Sequence, residues 1–306
     1  MTRPLRLVVT GSQGQVVRAL QERGPHSNVE IVALGRPELD LLRPGEIFAV
    51  LKAARPDVVV SAAAFTAVDV AESQPAEADA INAVGAGEVA RAAASLRAPV
   101  VHLSTDYVFD GTLDRPYRED DPTGAIGEYG RSKLLGEQAV ASVNPDHAIL
   151  RVAWVYSPFG KNFVRTMLNL ASTREEIAVV ADQHGAPTSA HDIADGVIRV
   201  ASNLKTDAAP GMRGIFHMTA QGEATWAEFA EAIFTISSRA GGPFARVRPI
   251  PTSAYPTPAR RPANSRLDTA KIAREHGVLL PPWRAALAVC MTRLVPGEFR
   301  KDLKWR

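Results

Sequence analysis

The chain has 306 residues, of which 46% are hydrophobic and 22% charged, with 35 Lys and Arg against 33 Asp and Glu. This length is typical of two domains or one large α/β unit, and the formal net charge of +2 gives no indication of nucleic-acid binding. A short mixed basic tail at residues 300–306 is interpreted as solvated.

The sequence predicts a cytoplasmic protein without a membrane segment. Its one cysteine, Cys290, lies in an apolar helical pattern, which excludes an intramolecular disulfide and favours a reducing compartment. Residues 1–10 contain only a short apolar run before Gly11, too brief for a secretory signal, and no stretch approaches the length of a membrane span.

The first predicted unit is a strand, a glycine turn and a helix. Residues 5–10 form an apolar run, Gly11 and Gly14 follow it, and residues 18–23 have a helical pattern. Such glycines let the backbone approach a pyrophosphate, whose charge is met by free amides at the helix N-terminus. We therefore predict a dinucleotide site at this turn. Val17 replaces the usual third glycine, which predicts weaker cofactor affinity.

The second predicted strand, residues 29–34, ends without a carboxylate. An acidic residue there would bind a ribose 2′-hydroxyl, whereas Arg36 can accept a 2′-phosphate, so the sequence favours NADPH, with NADH as the alternative. Arg36 is equally compatible with a solvated loop residue, and Asp40 with a helix-entry residue or an adenine-side contact.

Three further predicted strands continue a parallel sheet: residues 57–61, 99–104 and 148–152. Small residues from Ala62 to Ala64 follow the first of them and leave room for a nucleotide at the edge where ligands gather. The second leads to Thr105 and the third to Trp154, whose indole can cover a sugar or nicotinamide face. The alternatives are tight packing for the alanines, an N-cap for Thr105 and a core position for Trp154. His102, inside the second strand, is predicted to pack in the core rather than to act as a ligand.

Tyr129 and Lys133 lie four residues apart in a helical stretch and so project from one face of the helix. A neighbouring ammonium favours the ionised phenol, so the pair can give a proton to a carbonyl oxygen near neutral pH. Thr105 precedes Tyr129 at a strand end, where its hydroxyl can hydrogen-bond the same oxygen. Tyr-x-x-x-Lys alone is common, and packing of the tyrosine is the alternative.

The pattern becomes less regular after residue 155. Helices and strands are predicted near residues 162–171, 177–180, 192–202, 215–218 and 226–237. We predict an α/β fold with a Rossmann-type doubly wound parallel sheet in residues 1–155 and a smaller C-terminal α+β substrate-binding domain in residues 156–306. Some elements of the core return to it from the second part. Arg260 and Arg261 are candidates to pair with a substrate pyrophosphate.

Six motifs of this chain occur together in one known family. They are Gly-Ser-Gln-Gly-Gln-Val at 11–16, Ala-Ala-Ala-Phe-Thr-Ala-Val-Asp at 62–69, Ser-Thr-Asp-Tyr-Val-Phe-Asp-Gly at 104–111, Tyr-Gly-Arg-Ser-Lys at 129–133, Gly-Ala-Pro-Thr at 185–188 and Arg-Pro-Ala-Asn-Ser at 261–265. Nearly from end to end, the chain resembles the extended short-chain dehydrogenases/reductases and, within them, the dTDP-4-dehydrorhamnose reductases. The motif at 104–111 is much more specific than the first glycines.

The resemblance implies NADPH-dependent reduction of the C4 ketone of a dTDP-deoxyhexulose, dTDP-4-dehydro-6-deoxy-L-mannose, to dTDP-L-rhamnose. It implies that Tyr129 is the general acid, that Lys133 lowers its pKa and holds the nicotinamide ribose, and that Thr105 orients the ketone. The residues that match the sugar pocket are Thr66, Val68, Asp106, Tyr107 and Trp154. With Gln13 and Arg36 added from the turn and the second strand, the predicted cofactor residues are Gly11, Gln13, Gly14, Gln15, Val16, Arg36, Asp40, Leu41, Ala62, Ala63, Ala64, Tyr129 and Lys133.

Some members of this family dimerise around a magnesium ion held by glutamates, one on the first helix and one after the Gly-Ala-Pro-Thr segment. Here those positions hold Ala19 and His191. Because a hard cation prefers oxygen ligands, we do not expect magnesium, and a homodimer is predicted without a defined mode.

Two alternatives stay open at this point. One is a related nucleotide-sugar epimerase, or a reductase of another deoxyhexulose, since epimerases share the Tyr-x-x-x-Lys face but retain their cofactor through turnover. The other is a non-catalytic NADP-binding regulatory subunit, because the β subunit of methionine adenosyltransferase resembles the same family. The intact set of Thr105, Tyr129 and Lys133 favours turnover.

Overall fold

The structure is a computed structural model that describes residues 3–295, so the basic tail at residues 300–306 lies outside the described residues. The strands are β1 (Leu5–Thr10), β2 (Val29–Leu34), β3 (Val58–Ser61), β4 (Val100–Thr105), β5 (His147–Val152), β6 (Val155–Tyr156), β7 (Glu176–Val180), β8 (His184–Gly185), β9 (Thr188–Ser189), β10 (Gly214–His217), β11 (Ala224–Thr225) and β12 (Arg246–Ile250). The α-helices are α1 (Gln15–Arg23), α2 (Pro44–Ala54), α3 (Val68–Ala71), α4 (Pro75–Asp79), α5 (Ala86–Ser95), α6 (Glu128–Val143), α7 (Phe163–Ala171), α8 (Ala190–Thr206), α9 (Trp226–Arg239), α10 (Ala270–His276) and α11 (Trp283–Leu294). In the stretch from residue 3 to residue 295, no helix is long and apolar enough to cross a membrane.

Six strands form one parallel sheet in the order β10-β5-β4-β3-β1-β2. Its strands are nearly continuous apolar runs because both faces are covered by helices. Alternate side chains therefore enter different cores: Leu7 and Val9 pack on the side of α1 and α8, and Val8 on the side of α2, α5 and α6. The predicted doubly wound sheet is confirmed.

The second half of the chain contributes to the sheet and also builds a separate core. β10 returns to the sheet beside β5, with Phe216 opposite Leu150. β7 and β12 pair in parallel outside the sheet, and α7, α9 and α11 pack around them in a core that includes Phe229, Ile233 and Leu287. The elements predicted for this half are present with displaced ends. The domain boundary at residue 155 stays a prediction.

One long helical segment of the structure is irregular. Between α4 and α5 the helix continues as a π turn at residues 80–85. Asn82 in this turn reaches out of the helix, and its amide oxygen accepts from the Phe65 amide at 2.8 Å. Its amide nitrogen donates to the Phe65 carbonyl and, at 2.9 Å, to Ser132 Oγ on α6. These tertiary hydrogen bonds compensate for the irregular helix.

Candidate active site

The turn between β1 and α1 has the geometry of a phosphate cradle. Gly11 has φ +93°, a conformation that glycine adopts without strain, and a Cβ there would contact Ala63 at 3.5 Å. Gly14 is the N-cap of α1, and no side chain of the described residues caps this helix end. The first amides of α1 are thus available to an anion, and the turn fits the pyrophosphate of a dinucleotide. Val17, in place of a third glycine, is buried beside the turn.

The ends of the neighbouring strands meet at this turn. Thr10 Oγ1 accepts hydrogen bonds of 3.0 Å from the amides of both Ala62 and Ala63, which holds the end of β3 beside the glycine turn. Ala64 continues along the same edge and is half-buried. Beyond β2, Arg36 is exposed, and the Asp40 carboxylate accepts from the Leu42 amide at 3.0 Å. The structure therefore brings these predicted cofactor residues to one edge of the sheet.

The remaining predicted cofactor residues have different surroundings. Gln13 is exposed at the turn, Val16 is half-buried against the core, and Leu41 is buried next to the π turn. The Gln15 side chain points to the second half of the chain, where its oxygen accepts from Ser157 Oγ at 2.7 Å and from an Asn162 amide at 3.1 Å.

Residues of β4 and α6 meet at the carboxyl edge of the sheet. A Cβ at Gly130 would lie 2.1 Å from the Tyr107 carbonyl oxygen, so only glycine permits this close approach of α6. The rings of Tyr107 and Tyr129 meet edge to face with centroids 5.7 Å apart. The Thr105 hydroxyl donates to Asp106 Oδ1 at 3.0 Å and accepts from the Tyr107 amide at 3.2 Å.

The pKa of Tyr129 is raised to about 12. Burial is the main cause, the charge of Asp106 adds to it, and a hydrogen bond with Thr105 opposes it. The Lys133 ammonium group donates to the Leu103 carbonyl of β4 at 2.6 Å. The lowering of this pKa by Lys133 stays a prediction, and in this arrangement the phenol is protonated at neutral pH.

Asp106 is a buried carboxyl group with an unused acceptor. Its Oδ2 has no hydrogen-bond partner among the described residues, although the side chain is only 4% exposed. Burial raises the pKa of Asp106 to about 6, while the Thr105 hydroxyl, which donates to Oδ1, opposes the shift. A buried polar atom without a partner is costly, so this oxygen is a candidate to accept a hydrogen bond from a ligand hydroxyl.

A buried ion pair supports this edge, and the sequence analysis did not predict it. Glu137 follows Lys133 by one helical turn on α6, and its two oxygens accept from Arg151 Nε at 2.9 Å and Nη2 at 2.7 Å. Ser104 Oγ also donates to Glu137 at 2.5 Å. Because Ser104 directly precedes Thr105, this pair fixes the end of β4. The sequence signal for this pair is a charged residue on an otherwise apolar helix face, Glu137, and another within an apolar strand, Arg151.

A cavity of about 840 Å³ lies beside the tyrosines. It shares Ala259 and Arg260 with the narrow pocket that contains Tyr107 and Tyr129. Its lining, as far as the described residues form it, contains four arginines and no carboxylate: Arg174, Arg248, Arg260 and Arg261. The cavity therefore favours an anionic ligand.

The other predicted sugar-pocket residues surround this region. Trp154 has φ +47°, and its indole stacks on Trp226, a cavity wall residue, with centroids 3.6 Å apart. Val68 lines the narrow pocket and begins α3. Thr66, just before it, is exposed. The roles of these residues stay predictions.

Ala19 and His191, at the positions that match the family's magnesium ligands, do not belong to a cluster of carboxylates in the described part of the chain. Ala19 is buried in the core, and His191 Nε2 lies 2.9 Å from Glu22 Oε2. Arg293 binds the same carboxylate at 2.6 Å and lowers the pKa of Glu22 to about 2. Between residues 3 and 295, no group of three or more His, Cys, Asp and Glu side chains could hold a metal ion.

Comparisons with known proteins agree with this geometry. The family described as RmlD substrate binding domain matches residues 5–295. The dTDP-4-dehydrorhamnose reductase of Sinorhizobium fredii is 51% identical over 279 residues, which cover 91% of this chain and 94% of that protein.

Two solved structures are similar along nearly the whole chain. A dTDP-4-dehydrorhamnose reductase of Clostridium acetobutylicum has a TM-score of 0.88 and 36% identity, and covers 95% of this chain and 99% of its own. The dTDP-4-dehydrorhamnose reductase of Bacillus anthracis in complex with NADP has a TM-score of 0.87 and 32% identity, and the match covers 94% of this chain and 99% of that chain. The chain thus belongs to the dTDP-4-dehydrorhamnose reductase family of NAD(P)H-dependent oxidoreductases.

Proposed function

We propose that the protein reduces the C4 ketone of dTDP-4-dehydro-6-deoxy-L-mannose to dTDP-L-rhamnose with NADPH. The observation that carries this proposal is the position of Tyr129 and Thr105. They lie side by side at the carboxyl edge of the sheet, which also holds the glycine turn, and Tyr129 lies next to the arginine-lined cavity. Several relatives of this chain carry the reductase name.

The cavity supports a nucleoside diphosphate sugar as the substrate. Planar guanidinium groups bind phosphate oxygens through paired hydrogen bonds, and the cavity holds four of them. Arg261 is already paired with Asp69 at 2.9 Å and Arg248 with Glu176 at 3.0 Å, whereas Arg260 forms no ion pair within the part of the chain that the structure describes. We therefore assign Arg260 to the diphosphate and Trp226, on the cavity wall, to packing against an apolar ring face.

The side chains at the sheet edge can complete the reduction. NADPH, when bound, supplies the hydride to the carbonyl carbon. Tyr129 donates its phenolic proton to the carbonyl oxygen, and Thr105 hydrogen-bonds the same oxygen, so that the charge developing there is met as it forms. The product is the C4 alcohol. Asp106, through its unused oxygen, accepts from a sugar hydroxyl and fixes the ring.

The glycine turn supplies the cofactor site. The free amides of α1 take the pyrophosphate, and Arg36 takes the 2′-phosphate. Lys133, on the same helix face as Tyr129, is assigned to the nicotinamide ribose. A homodimer and a cytoplasmic location stay predictions.

Replacement of Arg36 tests the cofactor preference. If its guanidinium binds the 2′-phosphate, Arg36→Ala should weaken NADPH about 10- to 100-fold, the equivalent of a charge-assisted hydrogen bond, and leave NADH nearly unchanged. Calorimetric titration with both cofactors measures this. Arg43→Ala is the matched control, because Arg43 is also exposed near this edge but pairs with Glu46. Equal weakening of both cofactors by Arg36→Ala would contradict the assignment.

One comparison favours a second candidate substrate. A Streptomyces antibioticus protein that is 40% identical over 298 residues is named a probable dTDP-4,6-dihydroxy-2-methyloxan-3-one 4-ketoreductase. A reductase of another dTDP-linked ketosugar would use the same tyrosine, cavity and glycine turn. The difference would lie in which ring hydroxyls reach Asp106.

Product analysis distinguishes these candidates. The protein is incubated with NADPH and dTDP-4-dehydro-6-deoxy-L-mannose, made in place by the preceding epimerase, and the sugar nucleotide is identified by NMR. We expect dTDP-L-rhamnose, formed only when protein and NADPH are both present. A higher kcat/KM for another dTDP-ketosugar would overturn the substrate assignment. Stoichiometric nucleotide retained by the purified protein, with epimerisation and no net NADPH oxidation, would indicate an epimerase.

A further inference from the structure

Behind Tyr129, three buried polar side chains form a row across the sheet. Lys133 Nζ lies 3.4 Å from His102 Nε2, and His102 Nδ1 lies 3.1 Å from Ser61 Oγ. All three residues are at most 2% exposed. Ser61 and His102 are direct register partners in the parallel strands β3 and β4, so the sheet itself sets their separation. Assignment of His102 to packing alone therefore misses these polar contacts.

The chemistry of the three groups fixes the direction of the hydrogen bonds. An ammonium group has only donors, so His102 Nε2 must be the acceptor. The ring proton is then on Nδ1, where it can be donated to Ser61 Oγ. Burial and the charge of Lys133 hold the pKa of His102 well below its usual range, which keeps the ring neutral.

Other ionisable groups act on this pair from the elements packed around it. Glu137 on α6 favours the charged form of Lys133, and His147 on β5 disfavours a charged His102. Burial is the larger influence on the lysine and lowers the pKa of Lys133 to about 8. Lys133 is therefore charged at neutral pH by a small margin, so that the loss of one acceptor has a measurable effect.

We propose that His102 is a positioning residue for Lys133. Its neutral ring, oriented by Ser61, accepts a hydrogen bond from the ammonium group, keeps the lysine charged and fixes it on the helix face of Tyr129. The Leu103 carbonyl, at 2.6 Å, is the second acceptor of the same ammonium group. The consequence for turnover rests on the proposed function, but the effect on Lys133 does not.

The first test measures Lys133 directly in the protein without substrate or cofactor. The protein is labelled with ε-¹³C lysine, the Lys133 signal is assigned by its loss in Lys133→Met, and it is titrated with pH. We expect His102→Phe, which keeps a flat ring but has no acceptor, to lower the Lys133 pKa by about one unit. His102→Gln retains an acceptor near the Nε2 position and should lower it less.

A matched control separates this effect from general damage to the fold. Val101→Ala changes the same strand on its other face, in the core of α1 and α8, so it should leave the Lys133 pKa unchanged. If His102→Phe does not fold, Ser61→Ala decides, because loss of the group that orients the ring should also lower this pKa. An unchanged Lys133 pKa in His102→Phe overturns the proposal. If His102→Phe does not fold, an unchanged Lys133 pKa in Ser61→Ala overturns it. So does an equal shift in Val101→Ala.

Turnover provides a second reading. The basic limb of the kcat profile should move to lower pH in His102→Phe by the same number of pH units as the Lys133 pKa, since the proposed function uses the charged form of Lys133 to hold the nicotinamide ribose. A shifted lysine in a protein that reduces no dTDP-ketosugar would support the role of His102 and reject the proposed function. An active enzyme whose Lys133 pKa does not move would reject the role of His102 alone.

Discussion

Tyr129→Phe is expected to lower turnover by about 10²–10⁴, the usual contribution of a positioned general acid. The substitution keeps the ring and its edge contact with Tyr107 but removes the proton that the carbonyl oxygen needs. Cofactor binding should change little, because the glycine turn and α1 are not affected. Steady-state kcat and calorimetric titration with NADPH measure the two effects separately.

Tyr156→Phe is the matched control for this loss. Tyr156 is fully buried in the core of the second half, and its hydroxyl donates to the Trp283 carbonyl at 3.4 Å, so its removal affects stability rather than chemistry. Wild-type turnover in Tyr129→Phe would remove Tyr129 from the mechanism. An equally large loss in both variants would show that any missing phenol disturbs the protein.

Glu137→Leu is expected to lower the free energy of unfolding by about 3–5 kcal/mol, because it leaves the Arg151 guanidinium buried without its partner. The side chains of Glu137 and Arg151 are 3% and 2% exposed, so water cannot replace the lost contact. Urea unfolding followed by circular dichroism gives the change, provided that the m-value stays constant.

An exposed ion pair supplies the control for Glu137. Glu88 pairs with Arg91 at 2.6 Å on the surface of α5, and Glu88→Leu should cost at most about 1 kcal/mol. Similar losses in the two variants would contradict the view that the buried pair holds the end of β4. A loss confined to Glu137→Leu would support it.

Local patterns in the sequence were sufficient to predict the sheet and the glycine turn. A buried parallel strand such as Val58–Ser61 is a short apolar run, and the turn after β1 is marked by glycines at set positions. The shared helix face of Tyr129 and Lys133 follows from their spacing alone. The position of Thr105 beside them follows from its place at the end of a strand.

The sequence could not predict features that depend on strand register and on packing between distant elements. His102 meets Ser61 only because β3 and β4 pair in one register, and Glu137 meets Arg151 only because α6 packs over β5. The direction of Lys133 has the same origin, since its nearest acceptor is a carbonyl of β4. The burial of the Tyr129 phenol, which raises its pKa, depends on the same packing and could not be predicted from the spacing of Tyr129 and Lys133.

The most direct test of the proposed reaction follows NADPH absorbance when the pure protein meets dTDP-4-dehydro-6-deoxy-L-mannose made in place by the preceding epimerase. Controls omit the protein or the sugar. We expect NADPH oxidation that depends on both and that Tyr129→Phe nearly abolishes. No oxidation, with NADPH still bound in calorimetry, would contradict the proposed reaction and indicate another sugar or a regulatory NADP-binding role.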